Sequence, residues 1–258
     1  GNLSSAANAI ESDLSNTIYA VGYGADSTSA SKWLVRKSSD SGVTWSTAEN
    51  YNYKSSHIAE AKAVSVVSSS SALVGGFVQK TDNSNYWTIR GTFDGGVSWS
   101  EMDSFQHTNA KDAQVNALVK DSLGVFYAGG FAEDGSGVKH WIVKKSTDGG
   151  VNWSVVDNFL LDGPYNTELQ ALTTDALNNV YASGYGSNSS GEKFWILKKS
   201  ANGGASWTVI DKRSTGSLFD VKSRALSTCL TNRICSGLSE SVDRLLGATW
   251  KTRILSSP

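Results

Sequence analysis

The hydrophobic and polar positions of this chain follow a period of two over short stretches, and the stretches stop at glycine-rich turns. Residues 114–119 (QVNALV) alternate and end in the turn Asp121-Ser122-Leu123-Gly124. Residues 125–131 (VFYAGGF) predict a second strand, with aromatic side chains facing one way and Ala or Gly between them. After a polar loop at 132–138, His140-Trp141-Ile142-Val143-Lys144-Lys145 predicts a third strand. The turn Thr147-Asp148-Gly149-Gly150 then leads into a fourth at 152–159. Helical spacing is absent throughout.

The same pattern recurs every 54 residues. Trp33, Trp87, Trp141 and Trp195 form one series with that step, and Trp45, Trp99, Trp153 and Trp207 form another. Ala9, Ala63, Ala117, Ala171 and Ala225 keep it, as do Gly22, Gly76, Gly130 and Gly184, and then Glu49, Asp103, Asp157 and Asp211. Four short strands per repeat predict a propeller blade. The chain is therefore expected to be all-β, a single domain over 1–258 forming a five-bladed β-propeller. Its repeats run approximately 1–53, 54–107, 108–161, 162–215 and 216–258, the last blade incomplete. Alanine in the first strand suits an innermost position. Gly and Ala in the second let neighbouring sheets approach closely, and Trp and Tyr fill the wider space farther out.

Composition narrows the function. The 25 Gly, 9 Trp and 9 Tyr against 2 Pro and 1 Met suit aromatic strands joined by glycine turns. With 23 basic and 24 acidic residues the net charge is -1, so no nucleic-acid partner is expected. No apolar run approaches the ~18 residues that span a bilayer, so no membrane insertion is expected. No basic-then-apolar leader opens the sequence, and any signal peptide is expected to be already removed or never present. Two cysteines make neither a disulfide framework nor a four-ligand zinc site. His57, His107 and His140 occupy three different repeat positions, and Asp82-Asn83-Ser84-Asn85 lacks the glycine and distal Glu of a calcium loop. No metal and no cofactor is expected.

The turns between third and fourth strands carry a family resemblance. Ser39-Asp40-Ser41-Gly42-Val43-Thr44-Trp45, Phe93-Asp94-Gly95-Gly96-Val97-Ser98-Trp99 and Thr147-Asp148-Gly149-Gly150-Val151-Asn152-Trp153 resemble the Asp box, the BNR repeat of sialidase-type propellers. A fourth copy has Asn202 in place of the Asp. The resemblance covers about eight residues per copy. It implies that the motif lies on the face opposite the active site, so Asp40, Asp94, Asp148 and Asn202 are expected to hold turns rather than bind ligand. It also raises a sialidase, which uses an arginine cluster, a Tyr–Glu nucleophile pair and an acid Asp. Arg36 and Arg90 instead share a repeat position with Lys144 and Lys198, which predicts a repeated surface charge. The Phe/Tyr-Arg-Ile-Pro signature is missing, and the lattice carboxylates are spread one per blade rather than facing each other across a bond. No enzyme activity and no catalytic residue are expected.

The loops between second and third strands and the blade-to-blade connectors differ in every copy and share one face. They and the adjoining strand starts carry Tyr53, His57, Tyr86, His107, His140, Tyr165 and Phe219 among Asn, Asp, Ser and Lys. Aromatic faces beside amides and hydroxyls suit a sugar, so these are the candidate ligand-binding residues. The expected function is non-catalytic carbohydrate recognition, lectin- or adhesin-like, with a protein-interaction scaffold as the alternative and a glycoside hydrolase third. The partner is then a glycan or a cell-surface protein. The Ser/Thr/Asn/Gly richness resembles secreted bacterial propellers, which implies an extracytoplasmic site. In the fifth copy Cys229 and Cys235 flank a strand turn and are expected to form a disulfide. No Asp box follows them before Pro258, so that blade is expected to lack its fourth strand.

Overall fold

A computed structural model describes residues 4–25 and 30–214, together with the backbone of 238–242 and 249–253. Each of the first four repeats becomes one antiparallel four-stranded sheet in sequence order. The first holds β1 (Ser5–Ser12), β2 (Ile18–Ala25), β3 (Ser31–Ser38) and β4 (Ser46–Tyr51). The second holds β5 (Ala59–Ser68), β6 (Ser71–Gln79), β7 (Asn85–Thr92) and β8 (Ser100–Phe105). β9 (Ala113–Lys120), β10 (Phe126–Glu133), β11 (Lys139–Ser146) and β12 (Ser154–Phe159) make the third. β13 (Thr167–Thr174), β14 (Val180–Ser187), β15 (Lys193–Ser200) and β16 (Thr208–Ser214) make the fourth. In the fifth copy β17 (Leu238–Val242) pairs with β18 (Thr249–Arg253), so the described residues form four complete sheets and one two-stranded pair where five blades, the last incomplete, were expected. Phe219 and the Cys229–Cys235 bridge lie outside the described residues.

The chain falls into two compact units. One is Gly1–Leu118 with Gly150–Asn152, and the other is Val119–Gly149 with Trp153–Pro258. Within the first, Tyr19, Trp33, Val35, Ala59, Ala61, Val74 and Val78 form a core between the first two sheets. The series Trp33, Trp87 and Trp141 is fully buried and Trp195 is nearly so. Alternation explains the strands: β3 buries Trp33 and Val35, while Leu34 between them and Arg36 after them stay partly exposed.

The glycine lattice has a specific cause. The first strand of a sheet bulges, as between Ala61 and Ala63 in β5 and between Leu169 and Ala171 in β13. The bulge pushes a carbonyl towards the second strand. A Cβ on Gly76 would lie 2.0 Å from the Glu60 carbonyl oxygen and 2.9 Å from the Trp33 ring of the preceding repeat. On Gly184 it would lie 2.0 Å from the Glu168 carbonyl oxygen and 2.7 Å from Trp141. Only glycine fits both the bulge and the tryptophan.

The basic lattice corrects one expectation. Arg90 and Lys198 are 8% and 3% exposed, so these charges lie between sheets rather than on the surface. Arg90 Nε donates to Glu49 Oε1 of the preceding repeat at 2.7 Å. Lys198 Nζ does the same to Asp157 Oδ2 at 2.5 Å. Burial decides the titration of these groups. It pushes Glu49 and Asp157 up and Lys198 down, and the pairing offsets it only in part. The cations also lie over aromatic rings: the Arg90 guanidinium is 3.9 Å from the Tyr51 centroid and Lys198 Nζ is 4.0 Å from that of Phe159.

Candidate functional site

Strand order puts two kinds of loop at opposite ends of each sheet. The β3–β4 and β7–β8 turns, with their counterparts, occupy one end. The β2–β3 and β6–β7 loops and the connectors between sheets occupy the other.

At the first end the Asp and Asn residues are tied into their own turns. Asp94 Oδ1 accepts from the Val97 and Ser98 amides at 3.0 and 2.9 Å and from the Thr92 hydroxyl at 2.9 Å. Its Oδ2 accepts from the Ser98 hydroxyl at 2.5 Å. Asp40 repeats this with the Thr44 amide, the Thr44 hydroxyl and the Ser38 hydroxyl. Asp148 accepts from the Ser146 hydroxyl at 2.8 Å. Asn202 Oδ1 takes the Ser206 amide and the Ser200 hydroxyl, while its own amide donates to Ser206 Oγ at 2.8 Å. The serine and threonine hydroxyls beside Asp40 hold its carboxyl down to about 2, and Asp94 lies lower still for the same reason. The turns also lock repeats together. Lys37 Nζ donates to the Gly95 carbonyl and Lys145 Nζ to the Gly203 carbonyl, each at 2.7 Å. The Trp99 ring meets Tyr19 edge-on at 6.3 Å.

At the second end the connectors differ in sequence but repeat in backbone. The His57 amide donates to the Lys54 carbonyl and the Tyr165 amide to the Asp162 carbonyl, each at 3.0 Å. Tyr53 and His107 therefore hold equivalent positions, as do His57 and Tyr165.

In the first unit this end gathers a tyrosine cluster. Tyr53 is 44% exposed and meets the His57 ring edge-on at 6.4 Å. Lys54 Nζ lies 5.9 Å from the Tyr53 centroid. Tyr86, at the start of β7, donates its hydroxyl to Asp82 Oδ2 at 3.0 Å, and Lys80 Nζ lies 4.7 Å from its ring centroid. Lys80 in turn donates to Ser104 Oγ at 2.8 Å and pairs with Glu101 at 3.4 Å. Burial and then the Asp82 bond raise Tyr86, while the Ser84 hydroxyl leads the lowering of Asp82. Burial likewise raises Tyr51.

His107 is exposed, with Nδ1 3.5 Å from Thr108 Oγ1. His140 and Tyr165 belong to the second unit. His140 is held by Asn158 Oδ1 at 2.8 Å and Asp134 Oδ2 at 3.4 Å. Among the described residues no group of three or more His, Cys, Asp or Glu is arranged to hold a metal ion. No helix is long and apolar enough to cross a membrane.

Sequence reasoning missed Tyr51 and a second polar cluster. Tyr51 sits at the repeat position of Phe105 and Phe159, whose rings pack edge-on against Trp87 and Trp141 at 6.3 and 6.2 Å. A hydroxyl where other copies carry Phe was the available signal. The second cluster surrounds Glu168, 8% exposed on β13. Its Oε2 accepts from the Tyr185 hydroxyl at 3.0 Å and from Lys139 Nζ at 3.2 Å, and its Oε1 accepts from Gln170 Nε2 at 2.5 Å. The corresponding residues in earlier repeats are Ala6, Glu60 and Gln114 opposite Tyr23, Phe77 and Phe131. The fourth repeat alone combines a carboxylate with a phenol.

No family model and no curated protein matches the chain. Among solved structures it is similar to a protein of unknown function from Dyadobacter fermentans, with a TM-score of 0.62 and 16% identity over 90% of this chain and 74% of that one. It is also similar to a PL25 polysaccharide lyase, an ulvan lyase, with a TM-score of 0.61 and 12% identity over 95% of this chain and 66% of that one. For a sialidase of Trypanosoma rangeli the TM-score is 0.55 at 15% identity, over 81% of this chain and 38% of that one. The likeness is one of fold. It is an all-β, propeller-type architecture built of four-stranded sheets.

Proposed function

We propose that this chain is a carbohydrate-recognition propeller that binds glycans through its connector end without cleaving them. The observation that carries this reading is the exposed Tyr53 ring beside His57 and Lys54, on the same end of the first unit as Tyr86 held between Lys80 and Asp82. An exposed ring edged by hydroxyl, ammonium and carboxylate groups offers a sugar a stacking face and directional hydrogen bonds at once. The similarity in fold to a polysaccharide lyase and a sialidase supports a carbohydrate ligand. Such a role fits an extracytoplasmic protein that meets glycans on other surfaces. A glycan array, followed by titration read through tryptophan fluorescence, tests it. Tyr53→Ala is expected to weaken the best ligand about tenfold, the equivalent of ~1.4 kcal/mol. Binding to no glycan, or an unchanged affinity in that variant, counts against it.

One observation favours a second reading, polysaccharide cleavage. The Tyr185–Glu168 contact at 3.0 Å, with Lys139 Nζ at 3.2 Å, brings a phenol, a carboxylate and an ammonium together. Release of new sugar ends from a polysaccharide, abolished by Glu168→Gln, would replace pure recognition with catalysis.

A further inference from the structure

The contacts between successive repeats obey one rule. The preceding repeat supplies a fourth-strand carboxylate and a third-strand lysine. The following repeat supplies a third-strand cation and a turn carbonyl. In the first unit these are Glu49 with Arg90 and Lys37 with the Gly95 carbonyl. In the second they are Asp157 with Lys198 and Lys145 with the Gly203 carbonyl. An apolar side chain of the following repeat's first strand seals each contact: Val64 is 6% exposed, and Leu172, which abuts Gly129, is 8% exposed.

Among the described residues nothing covers the following half of this interface on the first repeat. Ile10, at the position of Val64 and Leu172, is 66% exposed. Arg36 donates to the Trp45 carbonyl at 2.8 Å, as Arg90 does to the Trp99 carbonyl at 3.1 Å. Where Arg90 has Glu49, Arg36 donates to the Thr47 hydroxyl of its own sheet, at 2.6 Å. The guanidinium is held in the interface pose with no interface carboxylate among the described residues.

The fourth repeat carries the preceding half. Lys199 Nζ lies 5.3 Å from the Tyr181 centroid, as Lys145 and Lys37 lie 5.9 and 5.6 Å from those of Tyr127 and Tyr19. Asp211, at the position of Glu49 and Asp157, meets Arg213 of its own strand at 3.0 Å. Ile210 is 45% exposed, although its counterparts Ala48 and Val156 lie against Gly96 and Gly204 of the next repeat.

We infer that the first-repeat face around Ile10 and Arg36 is a docking surface for the fourth-repeat face of a second copy of this chain, joined head to tail through Arg36 and the partner's Asp211. The occupant follows from complementarity. The open face presents a cation, an apolar side chain and the Ser41 carbonyl, and the fourth repeat presents the carboxylate, apolar side chain and lysine that meet such a set elsewhere in the chain. The contact is heterologous, so the product is a closed ring of copies or a filament rather than a two-fold dimer.

Light-scattering mass measured on the full chain over a wide concentration range tests this. The wild type should rise above the mass of one chain as concentration increases. Arg36→Glu and Asp211→Arg should each weaken association about tenfold or more. An equimolar mixture of the two variants should associate again, because it restores one native Arg36–Asp211 contact. Ile10→Ser should lose association while keeping the wild-type melting temperature, since Ile10 is exposed in the single chain. A wild type that keeps the mass of one chain throughout overturns the inference. So does either Arg36→Glu or Ile10→Ser associating like wild type, or a mixture that fails to recover.

Discussion

Asp94 sits at the tip of a solvent-exposed turn and still titrates well below the usual carboxylate range, because the Ser98 hydroxyl and amide bind its charged form. Asp40 is lowered to about 2 by the matching Thr44 contacts. An aspartate in the unfolded chain titrates near ~3.9, so these turns contribute stability that is complete above that pH. The contribution is lost as pH falls through the folded value. Melting temperature should therefore drop between about pH 4 and about pH 2. Asp94→Asn should flatten part of that loss, because Asn202 already fills the same role with an amide that donates to Ser206. Differential scanning calorimetry across that range checks both statements. At neutral pH, Asp94→Ala should lower the melting temperature by roughly 2–6 °C and leave glycan affinity unchanged. A variant that melts normally but loses ligand would move these residues from folding to binding. At this scale the sequence was most informative where the chemistry is local. An Asp four residues before a Ser or Thr closes its own turn, and the turn can be read from eight letters. Tyr51 was illegible because its ring lies against Arg90, which a strand of the following repeat supplies.

Between elements, the 54-residue lattice made the strands of the first four repeats legible and concealed how the strands meet. Arg90 and Glu49 are 41 residues apart, as are Lys198 and Asp157, and that offset appears in neither residue's own series. The lattice therefore suggested a charge repeated on the surface, whereas Arg90 and Lys198 are buried between sheets. The glycine series was legible as close approach, but its cause required knowing that the first strand bulges. Two expected outcomes follow from these contacts. Glu49→Ala strands Arg90 without its carboxylate and should destabilise by about 3–5 kcal/mol, whereas Glu49→Met combined with Arg90→Met should come out near neutral. Gly76→Ala must displace either the Glu60 carbonyl or the Trp33 ring and should cost about 1–3 kcal/mol. Urea unfolding of the three variants measures these differences. A double variant as unstable as Glu49→Ala would mean that the pair contributes more than shape and neutrality. The raised pKa of Glu49 acts opposite to the turn aspartates. Its contribution is complete below the unfolded value and is lost as pH rises through the folded one, so the acid loss belongs to the turns.

For the whole molecule, the repeat that builds the sheets also copies the connector. The turn whose amide-to-carbonyl bond closes at His57 closes again at Tyr165, and Tyr53 has its counterpart in His107. The connectors at His57 and Tyr165 thus present the same closing bond with different rings on it. For a glycan-binding chain this favours long ligands over short ones. A single connector offers one or two rings, which suits a weak contact with one or two sugar residues. A polymer that reaches a second connector makes its second contact intramolecularly, at an effective concentration set by the length of sugar between them. A polysaccharide should therefore bind about 10²–10⁴-fold more tightly, per chain end, than its own di- or trisaccharide. Tyr53→Ala should reduce that gain without abolishing it, since the connectors bearing His107 and Tyr165 are untouched. Fluorescence titration with a size-graded oligosaccharide series decides the matter. Affinity that climbs with length and falls stepwise as Tyr53, His107 and Tyr165 are replaced supports several weak contacts on one frame. Affinity that is flat beyond a disaccharide confines recognition to the tyrosine cluster of the first unit.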